Sequence, residues 1–299
     1  MVINRSDCVR ISFGVSMLKN TFLHIPGIGV SSERRIWDSG ILTWDDSIKR
    51  PLPPLKKTVH LFKERVEESL RQLEIRRPRY FTDLLPAGEH WRLFGEFRKT
   101  AVFLDVESNG YSGPRGYITA ISLYDGNSVK YYIRGENLEG FRKEIAKYDL
   151  IVTYNGRCFD VPFIESHLGV RMEQAHIDLR YVLKDLGFKG GLKGCERALG
   201  IERGALDGLD GYFAVLLWKD YRRNKNVKAL ETLLAYNILD VVNLEPLLVA
   251  AYNMKLRRTP FSGSVLPSPA SPELPFSPDT DTIRRILREN SMSLHGQSL

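Results

Sequence analysis

Three places in this sequence set carboxylates among apolar neighbours. The first is Asp105-Val106-Glu107, closing the run 101–107 (AVFLDVE). On an extended strand, residues i and i+2 point to the same side, so Asp105 and Glu107 project together. Two like charges side by side repel, and a strand end that keeps both calls for a cation beside them or for open solvent. The second is Asp160, five residues after Asn155 in 155–162 (NGRCFDVP). An Asp before Val-Pro is also a good helix N-cap, and that reading stays open. The third is Tyr236-Asn237-Ile238-Leu239-Asp240. Residues four apart share a helix face, so Tyr236 and Asp240 point the same way. Leu230, Leu233, Leu234, Val241 and Leu244 make that helix largely buried, where a carboxylate is costly unless paired or metal-bound.

The elements that must position these groups follow from periodicity. Residues 117–125 and 129–134 alternate and are rich in β-branched and aromatic side chains, which predicts two strands joined through the turn Asp125-Gly126-Asn127. Residues 149–155 (DLIVTYN) read as a buried strand. Helices are expected near 137–147, 160–169, 178–186, 192–199, 210–223 and 227–253. Three opening antiparallel strands followed by alternating helix and strand indicate an α/β domain with a mixed sheet flanked by helices.

Taken in order, the DxE on the first strand, the Asp behind an Asn-Gly turn and the YxxxD on a late helix resemble the DEDD superfamily of 3′–5′ exonucleases, within the ribonuclease H-like fold. The tyrosine spacing resembles its DEDDy subgroup. HIDL (176–179), GGLKGCERALGI (190–201), TFLHIPGIG and GILTWDDS resemble the YprB-type ribonuclease H-like domain, so the likeness spans about residues 20–253. It implies a metal-dependent nuclease acting on DNA or RNA by a two-metal-ion mechanism, with a single-stranded 3′ end as substrate. Asp105, Glu107, Asp160 and Asp240 would then ligate two Mg2+ or Mn2+ ions, and Tyr236 would orient the attacking water. Carboxylates are hard oxygen donors suited to those ions. Two ions about 4 Å apart can generate a hydroxide and stabilise a leaving oxygen. A phenol with a pKa of about 10 is a poor base at neutral pH, so Tyr236 is assigned positioning. Asp178 is either an assistant to the site or an N-cap. Asn155 is a substrate contact or a turn residue. His176 is expected to be packed or exposed rather than to ligate. Lys189 and Lys193, among glycines, touch phosphates or belong to a capping loop.

Upstream, residues 22–50 predict a helix over 31–39 capped by Ser31 or Ser32, a stop at Gly40, and a second helix capped by Thr43. His24-Ile25-Pro26-Gly27-Ile28-Gly29 resembles the hairpin of a helix-hairpin-helix motif. Gly27 and Gly29 would let backbone amides approach a phosphate; the alternative is a small helical region packing Ile36, Trp37, Ile41 and Trp44 as core. The sequence divides at 1–56 (small helical region), 57–99 (helical connector), 100–255 (nuclease-like domain) and 256–299, a Pro/Ser-rich tail expected to be disordered with a short helix near 281–290.

Composition narrows the function classes. The 299 residues carry a net charge of +7, and residues 1–99 hold 18 Lys+Arg against 12 Asp+Glu. A basic segment suits a polyanionic partner such as nucleic acid, or is a solvated basic face. No run approaches about 18 uncharged apolar residues, so no membrane span is expected. Cys8, Cys158 and Cys195 are too scattered for a disulfide framework and read as buried thiols, which favours a cytoplasmic setting. Against the enzyme stands a non-catalytic nucleic-acid-binding module on the same fold.

Overall fold

The structure is a computed structural model, and it describes residues 17–55 and 61–295, with side chains through 291. A five-stranded sheet forms from β1 (Ala101–Ser108), β2 (Ile118–Tyr124), β3 (Val129–Ile133), β4 (Leu150–Thr153) and β5 (Ala175–Asp178), in the order β3-β2-β1-β4-β5. β1 runs antiparallel to β2 and parallel to β4, and β4 runs parallel to β5. The mixed sheet expected from the sequence is therefore present. Strand β5 is an addition to that expectation, because HIDL by pattern predicts only the start of a helix.

Among the described residues, thirteen α-helices surround the sheet. Ahead of it come α1 (Val30–Asp38), α2 (Trp44–Lys49), α3 (Phe62–Glu74), α4 (Pro78–Leu84) and α5 (Phe94–Phe97). Within it lie α6 (Phe141–Ile145), α7 (Asp160–Leu168) and α8 (Leu179–Asp185). After it follow α9 (Gly191–Ala198), α10 (Gly211–Asn224), α11 (Val227–Val242), α12 (Leu244–Leu256) and α13 (Thr280–His295).

The strand pleat sorts the core into two layers. Val102, Leu104 and Val106 of β1 pack with Phe141, Ile145 and Ile164, beneath α6 and α7. Ala101 and Phe103 face the other way, toward α8, α10, α11 and α12. Asp105 and Glu107 share that odd-numbered side, so strand parity alone aims them at α11. α11 and α12 are one helical stretch interrupted at Asn243. Pro246 explains the break, since it has no N–H for the carbonyl of Val242 and would clash with it. By length and composition the stretch Val227–Leu256 would pass for a membrane span, but 83% of its most apolar window is buried inside the fold, as in a core helix.

The N-terminal region belongs to the same core. Met17, Phe22, Ile36, Trp44, Phe81, Trp91 and Tyr252 lie in one apolar cluster with the residues of α8 and α11. Buried Glu33 accepts the amides of Phe22 and Leu23 and forms a two-pronged pair with Arg92 at 2.9 and 3.0 Å. Arg92 also reaches Glu89, which pairs with Lys255 of α12 at 2.7 Å. Some of the N-terminal basic charge also pairs with later elements: Arg98 holds Glu245 and Arg76 approaches Asp149. Residues before position 56, between 61 and 99 and beyond 100 all contribute to this cluster.

Local signals account for most boundaries. Thr43 and Asp46 form a reciprocal capping box at α2. The N-cap of α1 is Gly29 with no side-chain cap, in place of the expected Ser31 or Ser32. Ahead of the Pro26–Gly29 turn, the described residues offer a single 3-10 turn, Met17–Asn20. Residues 264–278 have no regular element, as their composition suggests, yet the tail has docking points. Leu266 exchanges two hydrogen bonds with the Asn253 side chain, Phe261 packs edge-on to Trp37, and Phe276 packs against Tyr131. Of the cysteines, Cys195 is buried, but Cys158 is exposed, contrary to the expectation, because it lies in the loop before α7; Cys8 lies outside the described residues.

Candidate active site

Asp105 and Glu107 reach from β1 toward α11, which passes across β1 and β2. Asp240 descends from α11, and one ligand oxygen from each of the three lies within 4.8 Å of the others. The β1–β2 register shifts between Glu107 and Ser108, so the strand ends at the acidic pair. Asn237, one turn before Asp240 on α11, donates to Asp105 Oδ2 at 2.6 Å and fixes that carboxylate.

Without a cation these groups oppose one another. Burial, then the charges of Asp160, Glu107 and Asp240, lifts the Asp105 carboxyl well above its ordinary range, with the Asn237 hydrogen bond opposing. Burial and the charges of Asp240 and Asp160 lift Glu107 likewise, and Lys193 and Arg203 oppose. Burial raises Asp240 against the pull of Arg203 and Lys193, and burial pushes Asp160 up to about 7. A divalent ion would reverse all of these shifts. An octahedral ion with oxygens at about 2.1 Å spans about 3 to 4 Å between ligand atoms. The donors are hard oxygens at nearly that separation, so Asp105, Glu107 and Asp240 fit such an ion.

Asp160 stands outside this trio. It is the first residue of α7, whose N-cap is Phe159, so the capping alternative does not hold. Its Oδ1 accepts the amide of Val106 at 3.1 Å, tying the helix start to the strand between the two acidic positions. The loop leading to it is set by Asp178, which accepts the amides of Asn155 (2.7 Å), Arg157 (3.1 Å) and Arg180 (3.0 Å). Asp178 is therefore both the α8 cap and the clamp on the turn before Asp160. Asn155 sits at φ 67°, the left-handed turn position that Asn tolerates. His176 packs: its Nε2 pairs with Thr153 Oγ1 at 2.8 Å and burial lowers its pKa to about 3.

Tyr236 is 2% exposed, and burial plus the nearby carboxylates drive its pKa far upward, so the phenol keeps its proton. Lys193 donates to its hydroxyl and to the carbonyl of Leu209, and its ammonium lies 4.5 Å from the Tyr236 ring centre. Beside the acidic trio opens a cleft of about 790 Å3 whose lining includes Asp105, Tyr154, Asn155, Arg180, Lys184 and Lys189. Gly27 and Gly29 are exposed on the N-terminal region and do not line it.

A profile of the RNase_H superfamily matches residues 102–252, half of the chain. The chain belongs to the RNase_H superfamily. No curated protein matches it. Among solved structures it is similar to the family B DNA polymerase from the hyperthermophilic archaeon Pyrobaculum calidifontis, at 16% identity and a TM-score of 0.39, over 55% of this chain and 26% of that one. This member of the RNase_H superfamily has an acidic centre on β1 and α11 that suits a divalent metal.

Sequence reasoning missed Arg203, Glu196 and Asn243. Arg203, 2% exposed, pairs with Asp240 Oδ1 and with both oxygens of Glu196 at 2.8 and 2.9 Å, and Asn243 donates to Glu196 Oε1 at 2.7 Å. Their one signal in the sequence was charge inside the otherwise compact run 195–203 (CERALGIER).

Proposed function

We propose that this chain is a metal-dependent nuclease of the DEDD type, hydrolysing phosphodiester bonds of DNA or RNA as a 3′–5′ exonuclease. The observation that carries this reading is the convergence of Asp105, Glu107 and Asp240, from opposite ends of the domain, onto one centre. A bound Mg2+ or Mn2+ would supply Lewis acidity and lower the pKa of water at the scissile phosphate. The chain's own residues do the rest. Asn237 holds Asp105, and Tyr236, locked in its protonated form, orients by hydrogen bonding instead of removing a proton. Arg180, Lys184 and Lys189 are exposed along the cleft and suit a phosphate backbone, while Tyr154 and Phe188 offer faces for stacked bases. The YprB-like upstream motifs and the DEDDy tyrosine spacing agree with this assignment.

The test is an end-labelled single strand with Mg2+ or Mn2+, comparing the wild-type chain with Asp105→Ala. Stepwise shortening from the 3′ end by the wild type alone is expected. Equal behaviour of the two proteins at every metal concentration would reject the proposal and leave a binding module. Shortening from the 5′ end would reject the polarity.

A further inference from the structure

The segment from Gly191 to Arg203 contains the run GLKGCERALGI but supplies no ligand to the trio. It nevertheless reaches the site twice. Lys193, on the first turn of α9, takes the Tyr236 hydroxyl; Arg203, beyond the Gly200 turn, takes Asp240. Tyr236 and Asp240 are one helical turn apart on α11, so a single segment holds both functional side chains of that turn.

The Arg203 contact is built in a way that a simple core ion pair would not require. One guanidinium nitrogen, Nη1, is shared between both oxygens of Glu196, itself 0% exposed and steadied by Asn243. Its Nε is buried without a hydrogen-bond partner among the described residues. Leaving a buried donor unpaired is costly. Here the fork is turned so that one arm meets Glu196 and the other meets Asp240 Oδ1. The other oxygen, Asp240 Oδ2, takes no hydrogen bond among the described residues, and one Asp240 oxygen completes the trio with Asp105 and Glu107.

We propose that Arg203, held by Glu196 and Asn243, is a positioning residue that fixes the Asp240 carboxylate for metal binding, with Lys193 doing the same for the Tyr236 hydroxyl. This rests on the metal-dependent reading of the site. Groups that orient a ligand from behind commonly change metal affinity 10–100-fold when removed. A guanidinium beside a ligand also acts in the opposite direction, since its positive charge repels a cation. The sign of the change therefore separates the two roles: loss of orientation weakens binding, whereas loss of charge alone strengthens it.

The experiment is calorimetric titration of the full chain with MnCl2, with folding checked by circular dichroism. Wild type is compared with Arg203→Gln/Glu196→Gln, which removes both charges so that neither is stranded, and with Arg203→Lys, which keeps the charge but loses the fork. A 10–100-fold weaker Mn2+ affinity in the double variant, and a smaller loss in Arg203→Lys, is expected. Unchanged or tighter binding in a folded variant overturns the proposal. A wild-type crystal soaked in Mn2+ tests the same point without any variant. Arg203 still on one Asp240 oxygen with the ion on the other supports it, and Arg203 released from Asp240 overturns it. Absence of Mn2+ binding by the wild-type chain would instead sink the metal-dependent reading itself.

Discussion

Replacing Asp105 with Asn should make the metal-free protein more stable while removing its response to metal. Two unit charges 4.8 Å apart repel by about 3 kcal/mol at an effective dielectric constant of about 20. Asp105 faces two such neighbours, Glu107 and Asp240, with Asp160 as a further charge close by. Its half-buried position on the cleft lets solvent screen part of that repulsion, and partial protonation relieves more, so a net gain of about 1–3 kcal/mol is the reasonable expectation. The sign follows from linkage. A carboxyl whose folded pKa lies above its unfolded value makes the folded state less stable as pH rises through that range, so the gain from Asn is largest near about pH 8. The Asn carbonyl can still accept from Asn237, which limits other losses. At about 2 °C per kcal/mol for a chain of this size, the variant should melt about 2–6 °C above wild type in EDTA. Saturating Mn2+ should reverse the order, because an ion at 100 times its Kd stabilises only the wild type, by about 2.7 kcal/mol. Scanning calorimetry at pH 8 with EDTA and with Mn2+ reads both effects. A variant that melts below wild type in EDTA, or one that gains as much from Mn2+, would refute the electrostatic account of the site.

Other perturbations test the scaffold. His24 is buried, and burial together with Arg92 lowers its pKa to about 3, so it should contribute about 2 kcal/mol to the loss of stability between about pH 6.5 and pH 5, beside His176; His24→Gln should lessen that slope in thermal melts, and an unchanged slope would contradict the assignment. A Cβ at Gly156 would lie 2.6 Å from Thr153 Cβ, so Gly156→Ala should cost about 1–3 kcal/mol in urea melts and shift the turn that leads to Asp160. Glu33→Ala leaves buried Arg92 with Glu89 as its one remaining carboxylate and should cost about 3–5 kcal/mol, with a single unfolding transition lowered as a whole. Lys184→Glu with Lys189→Glu should weaken binding of a fluorescent single strand in EDTA and make its logarithmic salt dependence shallower by about 1–2.

The sequence made the acidic pair on β1 and the Asp of α11 readable, because period-two alternation and a 3–4 apolar spacing state which side each carboxylate faces. The Thr43 capping box and the Asp125 turn were equally plain, since both are short-range. What escaped depends on distant partners. Asp160 has the local pattern of a cap, but its role is set by the amide of Val106, 54 residues away. Arg203 and Glu196 read as ordinary surface charges until the fold closes over them. The helix break at Asn243 was hidden by an unbroken apolar pattern on either side of Pro246. Strand β5 is only four residues long and was masked by the helix that follows it.

The shared core linking Trp91, Tyr252 and Phe94 to the sheet has an evolutionary consequence. A segment whose aromatic rings fill its neighbour's interior cannot be exchanged or lost as an independent cassette. Any ancestor lacking it must have covered the same apolar surface in some other way. A change in residues 87–93, which carry Trp91, therefore has to be matched on the side of α8 and α12 against which that segment packs.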